Sequence, residues 1–110
     1  MEKIYLCHEF DGIYDNVKII TDYIKTLVSY NKFSAYISPV HLFGILHNRN
    51  KSLYLEYCIS VLKDCDMMIV FGENSKNDEC KYQIDYCIKN NIPVIEYVDY
   101  CKRYIKPTVK

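Results

Sequence analysis

The run Asp66-Met67-Met68-Ile69-Val70-Phe71-Gly72 admits few structures. No polar residue interrupts it at every second place, so a strand built from it is covered on both faces, as in a parallel sheet that carries helices on either side. The rest of the chain supplies such helices. Apolar residues recur at Ile13, Val17, Ile20, Ile24, Leu27 and Val28, a stripe that predicts a helix ending near Asn31, with Asp15 and Asn16 as caps near its start. A second stripe at Tyr54, Tyr57, Cys58, Val61, Leu62 and Cys65 predicts a helix from about Ser52 to Asp64. A third uses Cys80, Ile84, Cys87 and Ile88, with Asp78 as its cap and Asn90-Asn91 as its close.

Short β-branched and aromatic runs stand between the helices. Lys3 to Cys7 reads as a first strand, Ser34 to Ser38 as a second stopped by Pro39, and Ile92 to Ile95 as the last. Pro39 to Asn50 lacks a sustained period and reads as a long loop with one helical turn at most. The tail from Glu96, with Tyr97, Tyr100 and Tyr104, has room for one short helix. Strand and helix thus alternate, which predicts an α/β domain with a four- or five-stranded parallel sheet between two helical layers. At 110 residues the chain has room for one such core and no second domain.

Fourteen Lys and Arg balance fourteen Asp and Glu, so net charge does not draw the chain to nucleic acid or to an acidic membrane. No apolar run approaches the roughly 20 residues needed to span a bilayer. The N-terminus lacks the pattern of a secretion signal, and a cytoplasmic location is expected. In that compartment the six cysteines are expected as free thiols. No Cys-x-x-Cys occurs, and the pairs Cys58/Cys65 and Cys80/Cys87 have the spacing of core positions on a helix, so neither a metal centre nor a cofactor is expected.

Parallel sheets of this kind bind ligands at the carboxyl ends of their strands, where neighbouring connections diverge. Three loops are therefore the candidates. The first, Cys7 to Gly12, offers His8, Phe10 and Asp11 where the chain enters a helix N-terminus, a setting that favours an anion or a sugar hydroxyl. The second offers Ser38, His41 and Phe43: a hydroxyl and an imidazole to read the edge of a nucleobase and a ring to stack on its face. The third offers Gly72, Asn74 and Ser75 for ribose or phosphate oxygens, although it contains neither Gly-x-x-x-x-Gly-Lys nor Gly-x-Gly-x-x-Gly. Each has a plain structural alternative: a satisfied histidine, a set of core-capping rings, a solvated turn.

Tyr5-Leu6-Cys7-His8, Tyr36-Ile37-Ser38-Pro39-Val40-His41, Cys65-Asp66-Met67-Met68-Ile69-Val70-Phe71-Gly72 and Asn91-Ile92-Pro93-Val94-Ile95, in that order, resemble the small nucleoside 2-deoxyribosyltransferase-like proteins over roughly residues 3 to 95. The resemblance implies a flavodoxin-like or Rossmann-like three-layer domain that cleaves an N-glycosidic bond through a helix-borne glutamate. Such a nucleophile must be a carboxylate, able to form and then release a glycosyl ester. Here the matching stretch is Gln83-Ile84-Asp85-Tyr86-Cys87, so Gln83 takes the nucleophile's place. An amide can bind a ribose but cannot serve as that nucleophile.

Two functions from the resemblance follow. One is a non-catalytic pocket, with Gln83 as a ligand contact, that binds or sequesters a nucleoside, nucleotide or nucleotide-derived signal, as a phage or bacterial defence regulator would. The other is a glycosyl transferase or hydrolase in which Glu79 or Asp85 acts instead. A third possibility is a protein-interaction module built on the twelve tyrosines. Relatives of this fold often complete a pocket with a second subunit, so a homo-oligomer is expected from the resemblance.

Overall fold

The computed structural model describes residues 1–72 and 76–104. Four strands and five helices alternate: β1 (Glu2–Cys7), α1 (Asp15–Tyr30), β2 (Ser34–Ile37), α2 (Pro39–His47), α3 (Lys51–Leu62), β3 (Met67–Val70), α4 (Asp78–Lys89), β4 (Val94–Glu96) and α5 (Tyr97–Lys102). The sheet is four-stranded, parallel at every pairing and ordered β2-β1-β3-β4. β1 and β3 lie at its centre, in a register that sets Ile4 against Met67 and Cys7 against Val70.

Side-chain alternation along the central strands divides the core in two. Ile4, Leu6, Met67 and Ile69 meet Leu27 of α1 and Tyr100 and Cys101 of α5. Tyr5, Cys7, Met68 and Val70 meet Val40 of α2, Tyr54, Cys58 and Leu62 of α3, and Cys80 and Cys87 of α4; Ile20 of α1 joins this second cluster. The result is the flavodoxin-like or Rossmann-like three-layer sandwich expected from the sequence. All six cysteines are buried free thiols. Among the described residues no helix is long and apolar enough to cross a membrane.

Local chemistry sets the helix starts. The segment expected as a long loop forms α2 instead: Ser38 is extended, its Oγ accepts from the His41 N–H at 3.3 Å, and Pro39 fills the first helical position, where a missing N–H costs nothing. α2 is apolar nearly all round: Val40 and Gly44 face inward, but Leu42 and Ile45 on the outer side are apolar and exposed, and this hides its period. The expected caps of α1 and α4 are also corrected. The chain enters α1 through consecutive turns, Ile13 N–H to Phe10 O and Asn16 N–H to Ile13 O, so Tyr14 is already helical and no side chain caps the end. Asn16 instead donates from Nδ2 to Phe10 O at 3.0 Å. At α4 the cap is Asn77, whose Oδ1 accepts from the N–H groups of Glu79 and Cys80; Asp78 lies inside the first turn.

The topology fixes where a ligand crevice can open. β1 is followed by α1 on one face of the sheet, and β3 by α4 on the other. The connections therefore diverge between the carboxyl ends of Cys7 and Val70, which is the switch point of a doubly wound sheet.

Ile69 is wholly buried at the centre of β3. Ile69→Ala is expected to lower unfolding stability by about 2–5 kcal/mol, read from urea unfolding midpoints. A loss under about 1 kcal/mol would contradict the central placement of β3.

Candidate functional site

At the switch point the first loop makes a tight turn. Asp11 and Gly12 both have positive φ, 53° and 73°, and the Ile13 N–H closes the turn on Phe10 O at 2.8 Å. Two consecutive left-handed residues are the signature of a type I′ turn, which favours the Asp-Gly sequence found here. The turn is tied to α4: Asn77 Nδ2 donates to Asp11 Oδ1 and Oδ2 at 3.2 and 3.1 Å. It is tied to α2 by Phe10, whose buried ring rests on Gly44; a Cβ there would come within 3.2 Å of the ring.

Beneath the turn runs a chain of buried polar groups. The Tyr5 hydroxyl of β1 donates to Gln83 Oε1 at 2.6 Å, and Gln83 Nε2 donates to the Glu79 carbonyl at 3.0 Å. The Glu79 carboxylate meets His47 Nε2 at 2.5 and 3.0 Å. His47 is 9 % exposed and Glu79 5 %, so this pair joins α2 to α4 away from water. Phe10 and Tyr54 stand edge-on to the imidazole, with ring centroids 5.1 and 5.0 Å away. His47 Nδ1 is buried and has no hydrogen-bond partner among the described residues.

The surroundings hold the neighbouring acids neutral. Burial raises the pKa of Tyr5 and Tyr54, and it pushes the Cys58 thiol up to about 11. Hydrogen bonding with Cys80, followed by burial, raises Cys7. Thiols in this state are packing groups, because the thiolate is the nucleophile. The Glu79 carboxylate and His47 are therefore the pair here with polar chemistry to offer. Among the described residues no three His, Cys, Asp or Glu side chains are placed to hold a metal ion.

The remaining sequence candidates fall into separate groups. His8 leaves β1 on the face of α1 and α5, where its ring lies 6.0 Å from Tyr23 and 5.5 Å from Phe71 and its Nδ1 donates to Glu9 O. Tyr97 completes this aromatic group, 4.7 Å from Tyr23 and 5.1 Å from Phe71. Ser38 and His41 bond each other at the start of α2. The Thr21 hydroxyl donates to Val17 O, so His41 donates from Nε2 to Thr21 Oγ1 and accepts the Ser38 hydroxyl at Nδ1, each at 2.7 Å. Phe43 packs edge-on against Tyr57 of α3. Gly72 follows β3 with φ of 53°. Asn74 and Ser75 lie outside the described residues. Gln83 is 4 % exposed with its amide turned into the core, whereas Asp85 faces outward on α4 beside Tyr82, Tyr86 and Lys89. The structure thus brings Phe10, Asp11, Glu79 and Gln83 together and leaves His8, Ser38, His41, Phe43 and Asp85 in groups apart from them.

His47 was not legible as a site residue. It falls within the segment that lacks a period, and its partner lies 32 residues away. Tyr5 and Asn77 were equally hidden, one as a strand aromatic and the other as a turn asparagine. The fold defines a doubly wound α/β domain whose connections diverge at the carboxyl ends of β1 and β3. No protein-family model, curated protein or solved structure matches the chain.

Tyr5→Phe leaves Gln83 Oε1 without its buried donor and should cost about 1–3 kcal/mol of stability in urea unfolding. An unchanged midpoint would mean that the bond contributes nothing. Glu79→Ala leaves His47 Nε2 buried without its acceptor and is expected to cost about 1–3 kcal/mol in urea unfolding; an unchanged midpoint would contradict a buried bond between the two.

Burial lowers the pKa of His41 from its ordinary 6.5. Below that pH the unfolded chain binds more protons than the folded one, so this contribution is full above about pH 6.5 and declines as pH falls through the folded value. His41→Gln should flatten that part of the stability profile, measured by unfolding midpoints from about pH 7 to 5. Equal slopes in the two proteins would count against it.

Proposed function

We propose that the chain binds a nucleoside, nucleotide or nucleotide-derived signal at the carboxyl ends of β1 and β3 without cleaving it. The observation that carries this reading is Gln83. The place that a glycosyl-transferring carboxylate would take, by the resemblance described above, holds an amide bonded at both ends inside the core. An amide there cannot form and release a glycosyl ester.

Three features of the crevice support a ligand of this chemistry. The doubly wound topology opens it between loops that lead to opposite faces. The N-terminus of α4 lies at the same end of the sheet, and its positive dipole end favours phosphate or sugar oxygens there, with the N–H groups of Glu79 and Cys80 already taken by Asn77. The half-buried rings of His8, Tyr23 and Tyr97 lie at the same end of the sheet and offer faces on which a base can stack. A regulatory role, in which the protein sequesters its ligand, follows from binding without turnover.

A second reading has one observation in its favour: Glu79 is a buried carboxylate in the first turn of α4, held by an imidazole. A glycosyl-bond enzyme would use that carboxylate. Asp85, on the outer face of the helix, would take no part.

Purified protein incubated with nucleosides, deoxynucleosides, cyclic nucleotides and ADP-ribose separates the two. The binding reading predicts a rise in melting temperature with at least one of them and no free base by chromatography in the same samples. Release of base that Glu79→Gln abolishes would replace it with the enzyme reading. No melting shift with any of them would remove both.

A further inference from the structure

α4 divides its residues sharply between two faces. Glu79, Cys80, Gln83 and Cys87 are buried, while Asp78, Lys81, Tyr82, Asp85, Ile88 and Lys89 are exposed. Two of the exposed side chains, Tyr82 and Ile88, are large and apolar and stand at 53 % and 66 % exposure. On the same outer face Tyr82, Asp85, Tyr86 and Lys89 line a surface recess of about 220 Å³.

Charge along this face alternates. Asp78, Lys81, Asp85 and Lys89 follow one another at intervals of three or four residues, which places them in one stripe whose signs run minus, plus, minus, plus. Among the described residues none of the four is joined in an ion pair. A stripe of this order is complementary to itself when read backwards. Set antiparallel to a second α4 about a two-fold axis, Asp78 falls opposite Lys89 of the partner subunit, and Lys81 opposite Asp85 of the partner subunit. Both pairings are centred at the height of Gln83, so a single axis serves them, and symmetry repeats each one. A parallel copy in register would set like charges together. The antiparallel axis also carries the exposed ring of Tyr82 toward the recess beside Asp85 of the partner subunit.

We propose that the outer face of α4 docks a second copy of this chain, as an antiparallel, two-fold symmetric helix pair matched by the Asp78/Lys89 and Lys81/Asp85 charges. The net charge of zero puts no overall repulsion between the copies. α4 has 12 residues, a length of about 18 Å, so the contact is small and the dimer reversible. The inference does not depend on the nucleoside reading, because this stripe lies on the face of α4 opposite Gln83.

Sedimentation velocity of the full chain, from micromolar to near-millimolar concentration, tests it. A monomer–dimer equilibrium is expected, with a dissociation constant that rises with salt as the exposed pairs are screened. Lys81→Glu and Asp85→Lys alter exposed positions that make no core contact. Each turns two attractions between identical copies into repulsions and should raise the dissociation constant about tenfold or more. Mixed in equal amounts, the two variants set opposite charges at both contacts again, and the mixture should dimerise with close to the original affinity. That recovery also requires both variants to be folded.

A monomer at every concentration would overturn the inference. A dimer indifferent to either reversal would place the contact on another surface and overturn it equally. So would a mixture of the two variants that associates no better than each alone.

Discussion

The contact between Glu79 and His47 is the constraint around which one side of the molecule is organised. A carboxylate buried at 5 % exposure is tolerable only with a charge-assisted partner, and the imidazole of α2 is the one it has. That requirement brings α2 against the first turn of α4. It also sets the neighbours: Phe10 and Tyr54 shield the ring, Gly44 makes room for Phe10, and Gly12 makes room beside Nδ1. From the Glu79 carbonyl the polar chain continues through Gln83 to Tyr5, so the strand at the centre of the sheet is keyed to the same helix.

The central strands impose the other constraint. β1 and β3 are buried on both faces, which obliges the chain to supply helices to each layer and therefore to change sides between them. Connections that diverge at their carboxyl ends are the geometric consequence. At that end of the sheet the turn at Asp11-Gly12 is tied to the start of α4 through the Asn77 bond to Asp11. Rigid elements thus hold this buried polar pair near the region of the sheet where the connections diverge.

What the sequence revealed and what it hid have physical causes. The run from Met67 to Phe71 was legible because burial on both faces removes every polar residue, and α1 because its apolar residues fall on one side. α2 was not, since its solvent-facing Leu42 and Ile45 are as apolar as its buried face and erase the amphipathic period; the capping serine followed by a proline was the signal that it did carry. The last strand begins at Val94, two residues later than its apolar run, because Pro93 has no N–H for the ladder and its carbonyl instead accepts the Met68 N–H. Of the crevice, the loops and the position of Glu79 were readable. The pairing of Glu79 with His47 was not, for it depends on two helices meeting in space, and no local pattern encodes it.

The most direct measurement of where this protein binds is a map of backbone amide ¹⁵N–¹H shifts in the full chain during titration with adenosine and ADP-ribose. The account predicts that the perturbed amides cluster at Cys7 to Gly12, at the ends of α2 and at the start of α4. Perturbations confined to the outer face of α4, around Tyr82, Asp85, Tyr86 and Lys89, would place the ligand elsewhere and contradict it.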